Sequence, residues 1–177
     1  MTDVFHHLPE PSRPIAEQLK KRSGRLLNIH AQMARSPVVV AAYAAMTSAI
    51  REHGTFDART REIIALAVGN QNGCDYCQAA HTASARAAGL SDEQILQIRT
   101  GEITFDARLS ALAEVARHVA ATTGYVSEAV RAHAREAGWS DTELEELFAH
   151  IAANLYTNYF NHYAGTELDF PPAAPLA

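Results

Sequence analysis

The chain is poor in cysteine, in aromatics and in positive charge. It has two cysteines and one tryptophan in 177 residues, 7% aromatics, and 15 Lys and Arg against 20 Asp and Glu. In a reducing compartment two cysteines are a poor structural staple, so a catalytic or metal-binding role is the better expectation for them. A formal net charge of −5, with no basic patch interleaved with aromatics, argues against nucleic-acid binding. No stretch approaches the roughly 18 apolar residues of a membrane span. The opening MTDVFHHLPEPSRP places acids, histidines and prolines where a signal peptide needs a basic start and an apolar run. A cytoplasmic protein with no membrane partner is therefore expected. Convincing strand alternation is also missing, so the fold class expected is all-α. The 47% apolar content suffices for one packed domain.

Residues Met1 to Pro14 carry three prolines and read as an extended arm, suited to wrapping a neighbouring subunit. Short helices are expected over Ile15 to Arg22, stopped near Gly24, and over Leu26 to Arg35. Ser36 and Pro37 form an N-cap followed by proline at the first helical position, opening a helix to about Glu52. That helix is apolar nearly all round and is expected to be buried, in the core or at an interface. Asp57 can cap the next helix, which runs to about Asn70. After the turn pair Asn72 and Gly73, a helix over Asp75 to Ala88 is stopped by Gly89. Capping boxes at Ser91/Gln94 and Ser140/Glu143 open two further helices, the second reaching about Ala164. Helices over Ala107 to Thr122 and from Ser127 to Gly138 lie between them. The segment ASARAAGLSD at 83–92 recurs as AHAREAGWSD at 132–141, without cysteines, through duplication or convergence. The organisation expected is an arm with short helices (1–35), a helical domain (36–170) and a Pro/Ala-rich tail (171–177).

Chemistry concentrates in Glu62 to Gly89. Cys74 and Cys77 stand at a helix N-terminus, where unpaired N–H groups and the dipole favour a thiolate. At i and i+3 they are close enough to bond with little backbone movement. His81, i+4 from Cys77, shares their stripe and can accept a thiol proton. That spacing nominates Cys77 as the nucleophile and Cys74 as its resolving partner, whereas helix position alone favours Cys74. Glu62, one helix earlier, can orient the His81 ring if the chain returns at Asn72 and Gly73. A redox dithiol is one reading. A zinc site with Cys74, Cys77, His81 and Glu62 as ligands is another, and inert buried thiols a third.

The pattern Glu62, Cys74, Cys77, His81 within RTREIIALAVGNQNGCDYCQAAH resembles the core motif of the alkylhydroperoxidase D and carboxymuconolactone decarboxylase superfamily. The ending NLYTNYFNHYAGTELDFP, 154–171, resembles a peroxidase-related branch, so the likeness extends from about Ser36. The resemblance implies an all-helical antioxidant enzyme, an oxidoreductase of peroxiredoxin type that cycles a disulfide and assembles as a trimer or hexamer. Its substrate would be a hydroperoxide and its second partner a thiol or dithiol reductant, with no bound cofactor. It implies that Cys77 attacks, Cys74 resolves, and Glu62 and His81 relay protons through a water. Tyr76 departs from the best-studied pattern, which has histidine there; a phenol is not an easily protonated base. True decarboxylases of the superfamily do not depend on a CxxC pair, which counts against decarboxylation here.

His150, Asn154, Asn158 and Asn161 form a polar stripe on the last helix, expected to satisfy loop backbone or a subunit contact rather than to face the thiols. His162 and Glu167 are ambiguous. His6, His7, His30 and His133 lie in no ligand-like spacing and read as surface or interface groups.

Overall fold

The computed structural model describes residues 7–176. Among the described residues there are nine α-helices and no strand: α1 Arg13–Ser23, α2 Asn28–Met33, α3 Pro37–His53, α4 Ala58–Gln71, α5 Asp75–Ala87, α6 Asp92–Thr100, α7 Ala107–Ala121, α8 Glu128–Glu136 and α9 Asp141–Ala164. The all-α class is as the sequence implies, and the boundaries follow the cap chemistry. Asp57 accepts from Thr60 N at 2.7 Å to start α4. Both capping boxes form, Ser91 with Gln94 and Ser140 with Glu143. Gly101 closes α6 at φ 90°, a left-handed value that a Cβ would strain.

The spine is α4. Every residue from Ile63 to Gly69 is buried, so this helix is apolar on all sides and must be surrounded. Helices α5, α6, α7 and α9 surround it. The main apolar cluster joins Ile63, Ile64 and Leu66 of α4 to Ile98 of α6, Leu112 of α7 and Leu147 of α9. A second, separate cluster lies on the other side: Leu8, Ala16, Leu19, Ile29, Met33 and Val40 close over Cys74, Tyr76 and Cys77.

Two expectations are corrected. Met1 to His6 lie outside the described residues, but the rest of the supposed arm is packed: Leu8 is buried, Glu10–Ser12 form a 3-10 turn and α1 begins at Arg13. Proline is tolerated in a first helical turn, because the N–H it lacks has no partner there anyway. The arm thus folds onto its own chain and covers the thiols. Helix α3 is not enclosed: only Val40 is buried and Val38 is 74% exposed. One side of α3 meets α1, α2 and α9, and nothing among the described residues covers its outer side, so it is not buried within its own chain.

Candidate active site

Cys74 is the N-cap residue of α5, and Cys77 lies in its first turn. Both thiols are free and buried. The expected return of the chain at Asn72 and Gly73 brings α4 against α5, and Glu62 Oε2 lies 2.8 Å from His81 Nδ1. Burial pulls the His81 pKa down, but the Glu62 charge and hydrogen bond, with a contribution from Cys74, outweigh it and the net shift is upward. No direct hydrogen bond joins His81 to either sulfur among the described residues. The spacing argument coupled His81 to Cys77, yet the thiol whose charge His81 feels is Cys74.

The two thiols shift each other's ionisation in opposite directions. The Cys77 thiol donates to Cys74, and this, with the Cys77 backbone N–H, the His162 charge and the Asn161 amide, outweighs burial and lowers the Cys74 pKa to about 6. The same interaction, burial and the Cys74 charge push Cys77 well up. Both shifts favour ionisation at Cys74 over Cys77, as helix position suggests.

Part of the α9 stripe faces this pair, contrary to expectation. Asn161 Nδ2 lies 3.3 Å from Cys77 Sγ and 3.8 Å from Cys74 Sγ. Asn158 Oδ1 accepts from Asn72 Nδ2 at 2.8 Å, and its amide also lowers the Cys77 pKa. The other half of the stripe is structural. Asn154 Nδ2 donates to the His150 carbonyl, and His150 pairs with Glu146 at 3.3 Å and stacks on Phe56. Helical spacing revealed the stripe, but only the path of α9 past α5 decides which end meets sulfur.

Tyr76 does not address the thiols by hydrogen bonding. Its hydroxyl donates to Asp169 Oδ2 at 2.6 Å, the same oxygen that accepts from Asn28 N at the start of α2 at 2.7 Å. Burial, then Asp169, raise its pKa, so it stays a neutral donor. The C-terminal segment is tied further: Glu167 O accepts from Asn28 Nδ2, Thr166 donates to Gln32, and Arg25 holds the Asp169 carbonyl while stacking on Phe170. This strap holds α2 over the sulfurs.

His30 and Tyr43 are neighbours of the site that spacing did not reveal. His30 is buried rather than superficial, and burial lowers its pKa to about 4 despite Asp169. Its Nε2 is 3.4 Å from the Tyr43 hydroxyl, whose pKa is raised by burial and by Cys77. A lone histidine carries no signal until the fold places it. Among the described residues no group of three or more His, Cys, Asp and Glu converges as metal ligands, and Glu62 is committed to His81.

Fold and site together define an all-helical protein with a buried dithiol at a helix start and a Glu–His pair beside it. Residues 37–118 match the model of the Carboxymuconolactone decarboxylase family. Over that stretch the chain is similar to this family, and its fold is that of alkylhydroperoxidase D-like proteins. Among solved structures it is similar to an uncharacterized peroxidase-related protein with an alkylhydroperoxidase core from Ralstonia eutropha JMP134. The TM-score is 0.82 at 23% identity, covering 93% of this chain and 88% of that one. It is also similar to a variant of the debrominase Bmp8 in complex with 2,3,4-tribromopyrrole, with TM-score 0.76, 14% identity and coverage of 90% and 86%. At these identities the likeness is one of fold. A curated relative, "Uncharacterized protein 4 in cox locus" of Paracoccus denitrificans, is 34% identical over 56 residues, 32% of this chain; the match spans about half the length of that protein, 50%.

Proposed function

We propose that the protein is a thiol peroxidase that reduces an organic hydroperoxide through a Cys74/Cys77 dithiol–disulfide cycle. The observation that carries this reading is the pair of free, buried thiols at the start of α5, with Asn161 Nδ2 3.3 Å from Cys77 Sγ and the Glu62–His81 pair at 2.8 Å nearby. Transfer of the Cys77 proton to Cys74 makes Cys77 the thiolate, held by the Asn161 amide at 3.3 Å. Cys77 sulfur attacks the terminal peroxide oxygen and the O–O bond breaks. The sulfenic acid forms, and the alcohol takes the proton released from the thiols. Cys74 then attacks the Cys77 sulfenic acid, giving the disulfide and water. His81, held by Glu62 and raised in pKa, passes protons through water between Cys74 and solvent. An external thiol or dithiol returns the pair to the reduced state.

Decarboxylation would leave both thiols without a task. The exposed apolar side chains of α3 and α9, Val38 (74%), Phe148 (61%), Tyr159 (55%) and Tyr163 (90%), favour self-association of the chain. The test is to mix reduced protein with cumene hydroperoxide and follow peroxide and free thiol together. Stoichiometric loss of both, abolished in Cys77→Ser, is expected. If wild-type thiols persist, or if Cys77→Ser consumes peroxide as fast as wild type, the reading fails.

A further inference from the structure

Two buried amide atoms beside the sulfurs have no hydrogen-bond partner: Asn158 Nδ2 and Asn161 Oδ1. Asn158 is fully buried and Asn161 is 4% exposed, so neither atom is satisfied by bulk solvent. An unmet amide group at such depth costs about 1 to 3 kcal/mol and calls for a ligand or a function. The orientations are set by what surrounds them. A thiolate only accepts, so Asn161 turns its amide nitrogen to Cys77 and Cys74, and its oxygen is left without a partner. Asn72 Nδ2 donates to Asn158 Oδ1, which leaves the Asn158 nitrogen near enough to Cys77 to favour its thiolate but without a hydrogen bond of its own.

The two residues are three apart on α9 and share one face. They present one unpaired donor and one unpaired acceptor next to the attacking sulfur. A hydroperoxide, R–O–O–H, presents the complement: a terminal O–H that donates and an inner oxygen that accepts, and that gains negative charge as the O–O bond breaks. We propose that Asn158 and Asn161 form the cradle for the peroxide group. The Asn161 oxygen accepts the terminal O–H and the Asn158 amide donates to the inner oxygen. The terminal oxygen is thereby held against Cys77. Both are catalytic residues in this assignment, since they touch the reacting atoms.

The step balances with no further co-reactant. The Cys77 sulfur forms a bond to the terminal oxygen, which keeps its hydrogen. The O–O pair of electrons leaves on the inner oxygen, and that oxygen takes the proton released by the thiols. The dithiol is oxidised by two electrons and the peroxide reduced to an alcohol and, at resolution, water. A donor aimed at developing charge in a dry site is the arrangement that lowers the barrier most, because it needs no reorganisation when the charge appears.

The inference rests on the peroxidase reading, and the experiment separates the two. Asn158→Leu, close in size but without the amide, and Asn158→Ser, a smaller polar replacement, are each assayed in two ways. One is the rate of thiol oxidation by cumene hydroperoxide. The other is the rate of alkylation by iodoacetamide, which needs the same thiolate but has no O–O–H group. Circular dichroism establishes folding, and if Asn158→Leu unfolds the Ser variant alone decides. A peroxide rate lowered by about 10- to 1,000-fold, at least about tenfold more than the alkylation rate falls through the lost support of the Cys77 thiolate, is expected. Asn161→Ser should slow both reactions, the peroxide reaction more, since it loses the sulfur contact as well. If peroxide and alkylation rates fall in parallel in Asn158→Leu and Asn158→Ser, or neither falls, the amides serve only the thiols or a buried water, and the cradle is wrong. If wild type itself ignores peroxide, it is the peroxidase reading that fails.

Discussion

The α4–α5 hairpin and the α7–α8 hairpin are built alike and equipped differently. Each carries a Glu–His pair nineteen residues apart, Glu62–His81 at 2.8 Å and Glu114–His133 at 2.9 Å. Each ends in an arginine that grips an aspartate six residues on, Arg86–Asp92 at 2.6 Å and Arg135–Asp141 at 2.7 Å. Each then runs into a capping box. A carboxylate bridging to a histidine across two antiparallel helices is therefore something this architecture makes without any chemistry to serve. What sets the first hairpin apart is its surroundings. The Glu62–His81 side chains are 21% and 28% exposed, against 42% and 58% for Glu114–His133. The first pair stands beside two buried thiols and α9 asparagines, and the second has no cysteine near it in sequence. The motif acquires a role by burial and by its neighbours.

Substitution can sharpen that contrast. The largest effect is expected from Cys77→Ser, which should lower peroxide turnover by about a thousandfold or more, read by peroxide loss under single-turnover conditions. Next, Glu62→Gln should slow the reaction by about 10- to 100-fold and lower the His81 pKa, visible by NMR titration of the ring. Glu114→Gln, its counterpart, should leave turnover unchanged and alter stability by no more than about 1 kcal/mol in a denaturant titration. Equal losses in the two variants would erase the distinction between the hairpins. Of smaller effect, pH should tell the reduced protein from Cys74→Ser. The Cys74 pKa falls from 9.0 to about 6 on folding, so its contribution is present above 9, and is lost as pH falls through 6. The Tm of the reduced wild type should therefore gain on Cys74→Ser between pH 6 and 9, by differential scanning fluorimetry. The raised pKa of His81 acts in the opposite sense: its pairing with Glu62 stabilises fully below 6.5 and fades as pH rises through the folded value. Asp57→Ala, which removes the cap of α4, should cost about 1 kcal/mol and leave thiol chemistry intact.

Much of this was legible in the chain because helix ends are local events. Ser91 with Gln94, Ser140 with Glu143, and Asp57 satisfy N–H groups within three residues, so no tertiary knowledge is needed to read them. The Glu62–His81 contact was legible for a similar reason, since a tight turn at Asn72 and Gly73 fixes the return of α5 along α4. Contacts of long sequence separation were not. Asn161 reaches Cys77 across 84 positions and Asp169 reaches Tyr76 across 93. Periodicity marked Asn161 only as polar, and nothing near Tyr76 announces a carboxylate partner. The packing of residues 8–33 over the thiols was hidden because prolines read as extension wherever burial is unknown. Burial of His30 was hidden because one histidine looks the same in solvent and in a core. The interaction of the thiols was half visible: i and i+3 spacing brings the Cys77 thiol and backbone N–H onto Cys74 within α5, while the smaller contributions of His162 and Asn161 come only with the path of α9.

The lone tryptophan has a use of its own. Trp139 is buried in the main cluster, edge-on to Phe56 at 5.6 Å and under Arg108 at 3.7 Å, with its indole N–H on the Arg108 carbonyl. It belongs to the cysteine-free half of the molecule and stands outside the cluster that encloses the sulfurs. Its emission is thus an internal gauge for one cluster only, and thiol labelling is a gauge for the other. Heated side by side, the two signals report whether the cover over the cysteines melts with the body of the protein or ahead of it.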